Sequence, residues 1–276
     1  VLINSYFDAF GEGGVIDVNG KGYWVTGVNL DIDISNGAKS GNLVVYTNYE
    51  DKRYKLTIKN LNTGEKTIIS ETEEMINGVW ISPSGKKIIY TKDLTCSQVL
   101  YGRFSKEERR KYPKLWIYDI ESTAINQLTD DGCFACNWRG NTLFFIKNNG
   151  TSYGFYVAKI DEVNMSVSEP IKIYTIRSWP KSAQLSLDGK TVFFSDYCDN
   201  GMAIVSIDVD GNNKKIIATG LDGRRSHFVV LSNTDGSTML VYEQAKVENT
   251  GTCQTRRYNF IDINGNLIKT VAVEIK

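Results

Sequence analysis

Two short stretches carry residue types suited to recognition: "RSWPK", residues 177 to 181, and "GRRSH", residues 223 to 227. An indole supplies rigid contact area, and a guanidinium beside it forks onto carboxylates. Arg177, Trp179, Arg224, Arg225 and His227 therefore form a candidate ligand-binding set. The competing reading has Trp179 plugging a gap between structural units while the arginines stay solvated. His227 is the single histidine, so a metal site needing two or more imidazoles cannot be assembled. No G-x-S-x-G elbow occurs for a serine nucleophile. A glycosidase needs two facing carboxylates, and the inner-strand candidate "LDIDIS" offers only Asp31 and Asp33. "DIDISNG" also fails as a calcium loop, with Gly37 at the seventh position and Asn42 at the twelfth. No catalytic residue, metal ligand or cofactor is assigned.

The five cysteines, Cys96, Cys133, Cys136, Cys198 and Cys253, admit three readings. They form one or two disulfides bracing extracytoplasmic loops, with Cys198 to Cys253 and Cys96 to Cys133 or Cys136 as the pairs. Alternatively Cys133 and Cys136 hold a metal, although a lone C-x-x-C lacks the second pair of a zinc site. In the third reading they are small buried thiols.

These residues need a scaffold, and composition points to strands. Glycine is frequent, at 24 residues, proline is rare, at 4, and β-branched or aromatic bursts alternate with Asn, Asp, Gly and Ser. The 276 residues suffice for a sizeable core. Basic and acidic residues balance at 32 each, which gives no electrostatic bias towards nucleic acid or anionic lipid. No apolar run is long enough for a membrane-spanning helix, and "VLINSYFDAFGEGG" lacks the pattern of a signal peptide. The charged "SKEERRKY", 105 to 112, reads as a surface excursion.

The chain repeats itself. "ISPSGKKIIYTKD" (81 to 93) and "LSLDGKTVFFSDY" (185 to 197) each encode strand, Gly-containing turn and strand. Further copies of the second strand are "VLINSYF", "LVVYTNY", "LFFIKNN" and "MLVYEQA", making six copies at intervals of 42 to 56 residues. Each is followed by a third strand ending in an Asx-rich turn, as in "TIKNLNTGE" or "WIYDIESTA", and then a fourth. About four antiparallel strands per period describes a propeller blade. The expected fold is therefore all-β: one propeller of six blades, at approximately 1–28, 29–70, 78–129, 134–175, 182–219 and 226–276, with the N-terminal blade incomplete. In such blades the loops between strands two and three share a face with the loops between blades. All five cysteines and the candidate binding set fall on that long-loop face.

"SPSGKKIIYTKD" followed by "LWIYDIESTAINQLTDDG" resembles the repeat of the TolB-like β-propellers, also called WD40-like or PD40 repeats. The resemblance spans the chain as a blade pattern and is clearest in two blades. Leu187 stands where the family usually has proline, and "ACNWRGN" departs further. The separate α/β domain that TolB-type proteins carry before the propeller has no counterpart. The chain opens in mid-blade, so it is expected to be part of a longer polypeptide. The resemblance implies a non-enzymatic, extracytoplasmic module that binds a protein, peptide or glycan through its long-loop face. The alternatives are a carbohydrate-active propeller enzyme, glycosidase or lyase, and a structural spacer of an envelope protein.

Overall fold

The computed structural model describes residues 12–16, 22–26, 36–40, 42–82, 84–94, 111–149, 152–178, 180, 182–199, 201–221, 228–232, 235–243, 248–250 and 253–275. Every regular element among them is a β-strand. The chain divides into two compact units, Ile32–Ser178 and Val1–Asp31 with Trp179–Lys276.

The first unit holds three sheets. β3 (Asn36–Ser40), β4 (Leu43–Glu50), β5 (Arg53–Asn60) and β6 (Lys66–Thr72) pair in sequence order. So do β7 (Met75–Ile81), β8 (Lys87–Asp93), β9 (Lys114–Asp119) and β10 (Ile125–Gln127). The third sheet runs β11 (Cys133–Arg139), β12 (Thr142–Asn148), β13 (Tyr153–Asp161) and β15 (Ile171–Ile176), and the short β14 (Ser166–Val167) also pairs with β13. All these pairings are antiparallel.

The other unit contains the hairpin of β1 (Glu12–Ile16) with β2 (Gly22–Thr26) and two larger sheets. One is β16 (Ala183–Leu185), β17 (Thr191–Cys198), β18 (Gly201–Asp208) and β19 (Lys215–Leu221). The last runs β20 (Phe228–Ser232), β21 (Thr238–Glu243), β23 (Cys253–Asp262) and β24 (Leu267–Ile275), with β22 (Glu248–Thr250) beside β23. The expected inner strand "LDIDIS" lies outside the described residues, and the strand paired with β4 is Asn36–Ser40. "VLINSYF" and most of "SKEERRKY" also lie outside them.

Burial explains why the repeated segments read as continuous apolar runs. Ile88 to Thr91 in β8, Thr142 to Ile146 in β12 and Val192 to Ser195 in β17 are all buried, because these strands are covered on both faces. Ile88, Tyr90 and Tyr118 pack with Val45, Leu56 and Ile58 of the preceding sheet. Ile89, Leu115 and Ile117 face the other way, onto Trp138, Leu143 and Phe145 of the following one. The outer strands are wetter: all three residues of β10 are exposed, as is Ile216 in β19.

Local chemistry fixes the turns. The Ser82 hydroxyl accepts the Lys86 and Lys87 backbone N–H groups at 3.2 and 3.0 Å, and Ser186 does the same for Lys190 and Thr191. Gly85 and Gly189 supply the positive φ that each turn requires, +74° and +69°. At the ends of third strands, Asn60, Asp119, Asp161 and Asp262 each accept two following N–H groups on Oδ1, at 2.8 to 3.4 Å. Leu187 has a reason to depart from proline. Its N–H donates to Thr238 Oγ1 at 3.3 Å, tying the turn to β21, and proline has no such donor. The Gln184 amide adds a second tie, donating to the Phe228 carbonyl and accepting the Val230 N–H of β20.

Candidate functional site

In each sheet, the end where the second strand finishes and the third begins is the long-loop end. There the second and third sheets of the first unit carry one arrangement twice. Tyr90 pairs across the ladder with Trp116, and Lys92, two residues on, projects to the same face. Its Nζ lies 4.9 Å from the Trp116 ring centroid and 6.0 Å from that of Tyr90. In the next sheet Phe145 pairs with Tyr156, the rings stacked at 5.8 Å and 12°. Lys147 sits above them, 5.1 Å from Tyr156 and 5.8 Å from Phe145. Such cation–aromatic contacts favour the ammonium by about 0.5–1 kcal/mol at accessible sites. Gly154, opposite Lys147, makes the stack possible, since a Cβ there would lie 2.5 Å from the Tyr156 ring.

The two lysines differ in their electrostatic partners. Lys147 binds the Asp131 carboxylate at 2.9 Å. Burial opposes charge on this amine, but the bond to Asp131 and the charges around it together outweigh that burial and the pKa is raised. The Cys133 thiol donates to the other oxygen of Asp131 at 3.5 Å. Burial first, and the Asp131 charge second, push that thiol up to about 12. Lys92 has no carboxylate partner among the described residues. The two rings beneath it also hold buried donors without acceptors, the Tyr90 hydroxyl and Trp116 Nε1. Burial raises the Tyr90 pKa, so its hydroxyl remains a donor.

Cys133 and Cys198 are both free thiols, so the expected disulfides through either one are not formed in this structure. Cys133 is committed to a buried contact with Asp131, and Cys198 ends β17 half-buried. Cys96, and the side chains of Cys136 and Cys253, lie outside the described residues. Only thiolates react with electrophilic labels at useful rates. In native protein near neutral pH, Cys133 should therefore resist maleimide while Cys198 is modified, and denaturant should expose Cys133. Peptide mass spectrometry reads this out, and equal native labelling of the two would contradict the buried placement.

Tyrosines stand out at the same end. Tyr49 is 60% exposed and contacts the Tyr54 ring at 4.7 Å across a hairpin whose central residues, Asp51 and Lys52, both have positive φ. Tyr197 is 64% exposed and, like Tyr49, is the penultimate residue of an eight-residue second strand. Lys114 lies 5.7 Å from the Tyr112 ring.

Of the sequence-derived binding set, Arg177 is exposed just beyond β15, while Trp179, Arg224, Arg225 and His227 lie outside the described residues. The placement of the five relative to one another therefore lies outside the described residues. The lysine–aromatic groups were not foreseen. Their signal was present as "YTK" and "FIK" in second strands, matched by "KLW" and "YGFY" in third strands. No group of three or more His, Cys, Asp or Glu side chains that could hold a metal occurs among the described residues.

No protein-family model matches the sequence, and a search of curated proteins finds no relative. Solved structures do match. TolB from Acinetobacter baumannii aligns with 96% of this chain at TM-score 0.64 and 15% identity. The chain spans 60% of that protein's length. The β-propeller domain of the Trilobed protease from Pyrococcus furiosus aligns with 87% of this chain and 70% of its own, at TM-score 0.53 and 14% identity. An oligogalacturonate lyase in complex with manganese aligns with 85% of this chain and 62% of its own, at TM-score 0.53 and 16% identity. Likeness at this identity carries architecture and not activity. The chain has a β-propeller fold similar to that of TolB.

Proposed function

We propose that this chain is a non-enzymatic, extracytoplasmic binding module, built as six blades with the N-terminal one incomplete, that engages a protein, peptide or glycan through its long-loop end. The observation that carries the reading is the pair of exposed tyrosines, Tyr49 and Tyr197, at matching places in two second strands. Tyrosine combines rigid contact area with a polar tip and recurs in recognition surfaces. The sequence-derived set, Arg177, Trp179, Arg224, Arg225 and His227, belongs to the same proposal. The extracytoplasmic assignment rests on the resemblance to TolB.

Selection from a displayed peptide library and a glycan array on the purified chain tests this reading. For the strongest ligand recovered, Tyr49→Ser, Tyr197→Ser or Arg177→Ala weakens binding by about tenfold or more. Ile216→Ser, on the outer strand β19, leaves it unchanged. A ligand indifferent to all three long-loop substitutions overturns the assignment of the face. The second reading, a carbohydrate-active enzyme, is favoured by the likeness to oligogalacturonate lyase. Release of unsaturated product from oligogalacturonate, followed by ultraviolet absorbance, would establish it.

A further inference from the structure

We propose that Arg139 and Lys159, which flank Thr142 at the end of the third sheet opposite the long loops, bind a free tetrahedral dianion such as phosphate or sulfate. The site is separate from the long-loop surface and does not depend on the chain being a binding module. Arg139, Thr142 and Lys159 are direct cross-strand partners in β11, β12 and β13. Opposed residues of an antiparallel ladder share a face, with Cβ atoms about 5 Å apart. The adjoining row, Trp138, Leu143 and Ala158, turns the other way into the core, which leaves these three side chains together on the opposite face. The Lys159 ammonium reaches across β12: Nζ donates to Thr142 Oγ1 at 2.9 Å and to Asn141 Oδ1 at 3.4 Å. It is thereby held at the turn that Arg139 enters.

Neither cation has a carboxylate partner among the described residues. Arg139 Nε is buried without an acceptor, and burial alone lowers the guanidinium pKa. An arginine stays protonated all the same, so its charge stands uncompensated. Solvent reaches the pair, since Arg139 is partly exposed and Lys159 is exposed. Two other sheets show what this place normally holds. The first residue of the second strand is Lys87 in β8, Thr142 in β12 and Thr191 in β17. Opposite it stand Asp119 and Asp208 in the first and last of these, but Lys159 in the middle one. Where its counterparts carry an internal carboxylate, this sheet carries a second cation, and the negative charge comes from solution.

Two cations at one place favour a doubly charged ion over a single carboxylate, and the guanidinium fork matches two oxygens of a tetrahedral oxyanion. The next row along the strands, Asn137, Phe144 and Val157, is buried, so it offers no surface to the body of a larger ligand. The occupant is therefore the free ion.

Isothermal titration calorimetry of the whole chain with sodium phosphate and with sodium sulfate, at an ionic strength held constant with chloride, tests the site. Saturable binding of both ions is expected. Arg139→Gln and Lys159→Gln each weaken it about tenfold or more, while Lys66→Gln in the first sheet leaves it unchanged. Lys159→Asp supplies the acid that the other two sheets carry, so it abolishes binding and gives a chain whose melting temperature no longer rises with phosphate. Circular dichroism confirms that each variant is folded. Phosphate heats indistinguishable from those of chloride, or binding indifferent to Arg139→Gln, overturn the site. Acetate bound as tightly as phosphate overturns the dianion in favour of a carboxylate. Glycerol phosphate bound about tenfold more tightly than phosphate overturns the free ion in favour of a phosphate ester.

Discussion

Gly265→Ala destabilises the chain by about 3 kcal/mol, combining left-handed strain with a steric clash. Gly265 occupies φ +87° in the turn between β23 and β24, where an L-residue loses about 1–2 kcal/mol from conformation alone. A Cβ would also stand 2.2 Å from the Ile217 carbonyl oxygen and 3.2 Å from its carbon. Those are backbone atoms of β19, so no rotamer change relieves the clash. The turn cannot easily change its own shape either, because Asp262 Oδ1 accepts the Asn264 and Asn266 N–H groups at 2.8 and 2.9 Å. Gly64 and Gly236 provide the control. Their φ values are +74° and +83°, and a Cβ at either meets nothing within 4 Å. Alanine at those sites therefore costs only about 1 kcal/mol, the strain without the clash. Urea melts of the three variants measure the difference. Equal midpoints for Gly265→Ala and Gly64→Ala would show that the β23–β24 turn does not pack on β19.

What the sequence disclosed follows the range of the interactions. The Ser82 and Ser186 turns close within five residues, and the Asx turns at Asn60, Asp119, Asp161 and Asp262 within four, so "SPSG", "SLDG", "NLNTG" and "DINGN" carried their own geometry. The apolar runs of β8, β12 and β17 likewise announced strands covered on both faces. The lysine–aromatic groups were hidden because Lys92 and Trp116 meet only through the register of β8 with β9, across the long 93 to 113 connection. The tie from Leu187 to Thr238 joins two sheets and leaves no local trace. Placing Cys133 and Cys198 at the long-loop end required only strand order, and both do stand at that end of β11 and β17. Their redox state depended on neighbours that spacing does not reveal. Of the expected recognition set, the described structure offers Arg177 alone, exposed as a residue just past a strand end should be.

Asp119→Ala lowers stability by about 2–3 kcal/mol at neutral pH, and the loss has two separable parts. The Asp119 carboxylate pairs with the Lys87 ammonium, and the two side chains are only 14% and 11% exposed, so solvent screens the pair little. The same carboxylate accepts the Glu121 and Ser122 N–H groups at 2.8 and 3.1 Å, which closes the turn after β9. The Lys87 bond first, and the backbone N–H groups with it, hold the Asp119 carboxyl well below the usual carboxylate range. Since an unfolded aspartate titrates near about 3.9, the stabilisation is complete above that pH and disappears as pH falls through the lower folded value. Asp119→Asn keeps an acceptor for the turn but removes the charge. Its deficit against the wild type should be full at pH near 7 and shrink steadily below about pH 4. Asp93 works in the opposite sense: burial raises its pKa, so its contribution to stability grows as it becomes protonated. It is common to both proteins, and the difference between their denaturation free energies isolates Asp119. Denaturant melts at several pH values give that difference directly. A gap that stays constant from about pH 7 to about pH 3 would mean that Asp119 stabilises only the turn, and that its pairing with Lys87 contributes no charge-dependent stability.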